Sequence, residues 1–85
     1  MNPIAVRVTV LDTWDEIALN VPPTARVADV KARALSQARI RHPAGDYLVK
    51  FRGAEVGEGD TTVAQAGIVP NAAIVVLSRR RSAVR

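Results

Sequence analysis

The spacing of apolar residues changes from two to three and four after residue 27, and that change limits the folds the chain can adopt. In residues 4–21, apolar residues recur at every second position, in two runs separated by "DTWDE" at residues 12–16. A period of two is typical of strands with one buried face. From residue 27 the spacing becomes three and four, which predicts an amphipathic helix. The residues on its apolar face are Val27, Val30, Ala34, Leu35 and Ala38.

The rest of the chain predicts further strands and a second, shorter helix. "YLVKFRG" at residues 47–53 returns to alternation and indicates a third strand. Thr62 and Gln65 have capping-box spacing, and Gly67 is placed to end a single helical turn. "AIVVL" at residues 73–77 is apolar on both faces, which is typical of a strand inside a sheet. The pattern therefore predicts an α+β fold: a mixed sheet of four to five strands, one main helix and one short helix.

Length and cysteine content exclude several classes of protein. A chain of 85 residues supports one core, so we expect one domain without a lidded enzyme cleft. It contains no cysteine, which excludes disulfides and thiolate metal sites. "MNPIAVRVTVLD" has charge and alternation where a signal peptide has an unbroken apolar run, so we expect a cytoplasmic protein. No segment approaches the roughly 18 apolar residues of a spanning helix, so membrane insertion is not expected.

Positive charge is concentrated at the end of the sequence. The net charge is +4, and Arg79, Arg80, Arg81 and Arg85 supply four positive charges. We predict a folded domain at residues 1–78 and a basic flexible tail at residues 79–85, which keeps the last apolar strand soluble. Nucleic-acid binding is not expected, because the basic residues do not form one face and aromatic stacking partners are scarce.

Three segments, in order and at matching spacing, resemble the ubiquitin-like β-grasp family. They are "VADVKARAL", "LVKFRGAEV" and "TTVAQAGIVPNAAIVVL". Together with the order of elements, the resemblance covers residues 5–79. It implies that the last strand lies between the first and the third.

The resemblance also bears on conjugation. Family members that are conjugated to other proteins, and their sulfur-carrier relatives, end in Gly-Gly because an activating enzyme adenylates a terminal carboxylate held in a narrow channel. No Gly-Gly occurs in this chain, and Arg81 and Ser82 stand where the glycines are expected. Ordinary conjugation or thiocarboxylate chemistry is therefore not expected.

Two bacterial groups are similar in length and also lack Gly-Gly. They are the ubiquitin-like accessory proteins of type VII secretion systems and the small ubiquitin-like subunit of diiron toluene-type monooxygenase hydroxylases. The resemblance implies a non-catalytic protein-interaction module, an accessory protein or complex subunit of the type VII secretion kind. A ubiquitin-like modifier, a sulfur carrier and a monooxygenase subunit stay open as alternatives.

The outer face of the sheet is where ubiquitin-like domains usually bind other proteins. Alternation predicts an apolar strip with a basic rim on this face. A tryptophan, Trp14, lies at the predicted hairpin tip, where it either binds a partner or folds over Leu11 or Ile17. Lys50 stands at the aliphatic centre of the ubiquitin recognition patch, so receptors of that patch are not expected to bind. The predicted partner-binding residues are Arg7, Leu11, Trp14, Leu48, Lys50, Arg52, Ile74 and Val76.

Catalytic, metal and cofactor sites have no candidate residues. His42 is the only histidine, and no serine has a general base at a recognisable motif spacing. Lys31 matches a lysine that is largely buried and paired in ubiquitin. The resemblance implies a structural role for it, with Asp29 or Asp60 as a partner.

Overall fold

The computed structural model describes residues 2–57 and 59–79. Within these ranges the chain forms a five-stranded sheet, one α-helix and one short 3₁₀ helix. The strands are β1 (Ile4–Val10), β2 (Asp15–Val21), β3 (Tyr47–Phe51), β4 (Ala54–Glu55) and β5 (Ala72–Ser78). The α-helix, α1, is Val27–Gln37, and the 3₁₀ helix is Ala44–Asp46. The predicted α+β class is confirmed.

The sheet is mixed, and its central strand comes last in the chain. The strand order is β2-β1-β5-β3-β4, with β5 parallel to β1 and antiparallel to β3. Neighbours on both sides satisfy the backbone of β5, which is the central position expected for a strand that is apolar on both faces. The predicted position of the last strand, between the first and the third, is confirmed.

The core lies between α1 and one face of the sheet. Val30 and Ala34 of α1 are 3% and 0% exposed, and Val8 of β1 is 0% exposed. Burying one such valine stabilises the fold by roughly 1.5–3 kcal/mol. The inward residues of the first two strands are Val6, Val8, Val10, Ile17, Leu19 and Val21, as their alternation predicts.

The start of α1 is held by the loop that precedes β5. No side chain caps this helix, and Arg26 at its N-terminus has extended backbone angles. The N–H of Val27 instead donates to the carbonyl of Thr61 at 2.9 Å, and Arg26 forms an isolated bridge with Thr62. These bonds join the helix to a segment more than thirty residues later in the chain.

The predicted short helix is a turn. Thr62 and Gln65 form the reciprocal capping-box bonds, at 3.0 and 3.1 Å. However, the N–H of Val63 bonds to the carbonyl of Ala25, and the N–H of Ile68 bonds to Val63, so no α-helical series of bonds develops. The short helix among the described residues is the 3₁₀ helix at residues 44–46.

The first residue of the predicted tail contacts the domain. The Nε of Arg79 donates to the carbonyl of Gly45 at 3.1 Å, and its guanidinium lies 3.6 Å from the carboxylate of Glu55. Arg79 thus fixes the end of β5 beside the 3₁₀ helix and β4. The other residues of the predicted tail, 80–85, lie outside the described residues.

Candidate functional site

The face of the sheet opposite α1, here called the outer face, carries a row of three leucines across three strands. Leu48 of β3 pairs with Leu77 of β5. Leu11 continues the parallel register of β1, with its N–H donating to the carbonyl of Val76 at 3.0 Å, and so lies beside Leu77. Leu11 and Leu77 are half-buried, and Leu48 is 8% exposed but does not belong to the core cluster under the helix. We call these three residues the leucine row.

The outer face becomes polar and basic away from the leucine row. In the next row, Val75 pairs with Thr9 on one side and with Lys50 on the other. Beyond it, Arg7 pairs with Ala73, and both are exposed. The outer face therefore has an apolar end and a basic end.

Arg52, predicted to belong to the basic rim of the outer face, lies in the turn between β3 and β4 beside Phe51, which pairs with Ile74 and packs against the core. Arg52 and Gly53 have φ angles of 56° and 82°, and Phe51 pairs with Ala54 across them. Positive φ at both central residues is the pattern of a type I′ hairpin turn. The guanidinium of Arg52 lies over the Phe51 ring, 5.2 Å from its centroid, in a cation–π contact that positions the charge.

Trp14 lies at the tip of the β1–β2 hairpin and is 75% exposed. This exposure leaves little of the indole over Leu11 or Ile17, so the shielding role considered from the sequence is not what the structure has. Among the described residues, the exposed large hydrophobic side chains are Trp14 and Val69. The leucine row begins at Leu11, three residues before Trp14 in the same connection between β1 and β2.

Two predicted outer-face residues lie in the core instead. Ile74 and Val76 are 1% and 0% exposed, and the prediction that they point outward is wrong. Directly paired residues on neighbouring strands point to the same face. Ile74 pairs with Val8, and Val76 pairs with Val49, both of which belong to the core.

Val75 and Leu77 take the outward positions of β5, and the sequence analysis did not select them. Alternation alone assigns residues 73, 75 and 77 to one side and 74 and 76 to the other, but it does not say which side is inward. The register was the signal that could have decided it, because Val75 pairs with Lys50, a residue already placed on the outer face.

A second polar cluster surrounds Tyr47 at the end of the sheet. The ammonium of Lys31, which is 4% exposed, donates to the main-chain carbonyl of Tyr47 at 2.9 Å. The Tyr47 hydroxyl donates to Oδ2 of Asp12, also at 2.9 Å. The expected burial of Lys31 is confirmed, and the acceptor described for it is a backbone oxygen rather than Asp29 or Asp60.

A pocket of about 200 Å³ adjoins this cluster, lined by Asp12, His42, Asp46, Tyr47 and Ser78. A serine, a histidine and two aspartates thus share one pocket, a combination that the sequence spacing did not indicate. A nucleophilic serine requires a hydrogen-bonded base. In the described part of the chain, no hydrogen bond joins His42 to Ser78 or to either aspartate.

Within residues 2–57 and 59–79, no group of three histidine, aspartate or glutamate side chains is placed to hold a metal ion. In the same ranges, no helix has the length and apolar character that crossing a bilayer requires.

Solved structures provide the comparison with known proteins. The ubiquitin of Caldiarchaeum subterraneum is similar, with a TM-score of 0.78 and 15% identity over 91% of this chain and 94% of that chain. A de novo designed protein based on ubiquitin has a TM-score of 0.79 and 15% identity, over 92% of this chain and 90% of that chain. No protein-family model and no curated protein sequence matches.

These similarities define the class of fold. The chain has the ubiquitin-like β-grasp fold, as the three sequence segments suggested. At 15% identity the likeness extends to the fold alone.

Proposed function

We propose that this chain is a non-catalytic ubiquitin-like module that binds another protein through the outer face of its sheet. It acts in the bacterial cytoplasm as an accessory protein or complex subunit, of the kind found with type VII secretion systems. The observation that carries the proposal is the leucine row. Half-buried Leu11 and Leu77 lie beside Leu48, which is 8% exposed, on the face of the sheet opposite α1.

The surroundings of the leucine row support binding to a protein. An apolar centre with a polar or charged rim is the usual anatomy of a protein interface. Here Val75 extends the apolar area, and Arg7 and Lys50 form the basic end. A partner that fits both ends presents apolar side chains next to carboxylates.

The test is a pair of double variants with equal changes in charge. Lys50→Glu with Val75→Asp alters the middle of the outer face, whereas Arg33→Glu with Ala32→Asp makes the same changes on the exposed side of α1. Each full-length variant is used to capture partners from a lysate of the source organism, and captured proteins are identified, purified and titrated against each variant.

We expect the outer-face variant to bind a purified partner at least about tenfold more weakly, because charge reversal adds repulsion as well as removing contacts. The α1 variant should bind like the wild type. Thermal melts of both variants are the control for folding, because aspartate in a strand costs up to about 1 kcal/mol. An outer-face variant that is folded and retains every partner with unchanged affinity would overturn the proposal.

Two observations distinguish this proposal from the alternatives: the identity of the captured partner, and the intact mass of the chain after incubation with an activating enzyme and ATP. Secretion components support the accessory role, and hydroxylase subunits support the monooxygenase alternative. For the modifier or sulfur carrier, incubation with an activating enzyme and ATP should give a covalent product in the intact mass spectrum. We expect no such product, because the chain has no Gly-Gly.

A further inference from the structure

The backbone of Trp14 has an unusual conformation for a large side chain. Its φ angle is 56°, in the left-handed region, where the β-carbon of an L-residue is crowded and glycine is favoured. Val10 pairs with Asp15, so Trp14 is the last residue of a four-residue connection, and its left-handed conformation is one that glycine adopts without crowding. Folding alone would therefore favour a glycine at position 14.

Burial does not explain the tryptophan either. The side chain is 75% exposed, so the indole contributes little to the core. Strain that the fold does not require is found mostly at functional sites, and exposed tryptophan is enriched among the residues that dominate binding energies. Arg39, Arg52 and Asn71 also have positive φ angles, so the feature of Trp14 that points to binding is the combination of this conformation with an exposed indole.

The charges around Trp14 are negative, whereas the chain as a whole is positive. Asp12, Asp15 and Glu16 lie within two positions of the indole, and all three are exposed. Asp12 accepts the hydroxyl hydrogen of Tyr47. Within the described chain, Asp15 and Glu16 form no ion pair, so their charges are not compensated locally.

We propose that Trp14 inserts into an apolar pocket on a partner protein and that the rim of this pocket carries lysine or arginine. This inference rests on the proposed function and adds the chemistry of the partner. A cationic rim complements the carboxylates beside Trp14, and a guanidinium or ammonium over the indole gains a cation–π contact. An anionic membrane surface is disfavoured, because the carboxylates of Asp15 and Glu16 repel it.

The first test needs no partner, because Trp14 is the only tryptophan. Its fluorescence is quenched with caesium ions and, separately, with iodide ions, each normalised to free N-acetyltryptophanamide. At about 0.1 M salt, charges interact over roughly 10 Å, which includes residues adjacent in sequence. We expect the caesium constant to exceed the iodide constant by about twofold, despite the positive net charge.

The matched control is Asp15→Asn with Glu16→Gln, which removes two charges and keeps the size of the side chains. It should bring the two normalised constants together. Equal quenching by both ions in the wild-type protein would overturn the electrostatic part of the inference. Weak quenching by both would show that the indole is covered and would overturn the inference as a whole.

The second test uses a partner identified through the outer face. Trp14→Gly should weaken its binding at least about tenfold, and Trp14→Phe should retain part of the affinity. Asp15→Lys with Glu16→Lys should weaken binding by a similar factor, and reversal of the basic residues in the partner's pocket should restore it. Fluorotryptophan incorporated into this chain alone should give one fluorine NMR signal that shifts on binding.

The outcomes separate this inference from the proposed function. If the outer-face double variant loses the partner while Trp14→Gly binds like the wild type, the inference fails and the proposed function stands. If both bind like the wild type, both fail. Trp14-dependent sedimentation with phosphatidylcholine vesicles would assign the indole to a lipid surface and overturn the protein pocket.

Discussion

The ammonium of Lys31 donates a hydrogen bond to the main-chain carbonyl of Tyr47, at 2.9 Å and almost fully buried. The bond joins α1 to the first residue of β3. Because the Tyr47 hydroxyl also donates to Asp12, the same tyrosine joins this pair to the β1–β2 connection. A buried ammonium is tolerated only where polar partners replace water, so the contact holds the helix in one position against the sheet.

The substitution Lys31→Met tests this contact, because methionine keeps most of the aliphatic stem and removes the charge. We expect a loss of about 1–3 kcal/mol in the free energy of unfolding, since the Tyr47 carbonyl is left without this donor. Urea titration measures the change. Arg33→Met, on the exposed side of the same helix, should stay within about 0.5 kcal/mol of the wild type. A Lys31→Met protein at least as stable as the wild type would mean that desolvation of the ammonium outweighs its hydrogen bonds.

The core face of α1 gives a second prediction. Val30 is 3% exposed, so Val30→Asp places a carboxylate in an apolar core and should cost several kcal/mol of a total of roughly 5–15. We expect circular dichroism to show a largely unfolded chain at room temperature. Ala32→Asp, two residues further on the exposed face, should melt cooperatively within a few degrees of the wild type. A normal melt for Val30→Asp would contradict the described position of the helix.

The hairpin and the helix were predictable because each follows from a local pattern. Val6, Val8 and Val10 alternate with shorter or polar residues, so only one face of β1 can be apolar. The three-and-four spacing of apolar residues in α1 likewise defines one apolar face, and the observed bounds of the helix, Val27–Gln37, match this repeat. In both the hairpin and the helix, the positions of the apolar residues determine which face is buried.

The faces of β5 were not predictable from alternation. Val75 and Val76 are the same residue type on opposite sides, so hydrophobicity does not distinguish inward from outward. Pairing with Val8 and Val49 decides it, and pairing is a long-range property. The conformation of Trp14 was also not predictable from the sequence. Glycine is the usual sequence signal for a left-handed backbone, and position 14 is not a glycine.

The end of the folded domain gives a third prediction, from two truncations. Removal of residues 80–85 should leave the melting temperature nearly unchanged and increase aggregation, because it removes arginines next to an apolar strand. Removal of Arg79 as well should cost up to about 1 kcal/mol, because its bond to Gly45 and its half-exposed ion pair with Glu55 are lost.

Calorimetry and light scattering measure the two effects separately. The substitution Arg79→Ala in the full chain is the matched control, and it should reproduce the difference in melting temperature between the two truncations. Equal melting temperatures for both truncations would show that Arg79 contributes nothing to the stability of the domain.

The last prediction concerns the stability cost of Trp14. A residue with a β-carbon in the left-handed region lowers the free energy of unfolding by about 1–2 kcal/mol. Glycine removes this strain but lowers the free energy of unfolding by roughly 0.4–1 kcal/mol, because it has greater freedom in the unfolded chain. Trp14→Gly should therefore raise the free energy of unfolding by about 0.5–1 kcal/mol, or the melting temperature by a few degrees. Trp14→Ala keeps the β-carbon and should show no such gain. If the glycine variant is no more stable than the alanine variant, the backbone at position 14 is not strained. If it is more stable and binds more weakly, the chain keeps a destabilising tryptophan at the position where it contacts its partner.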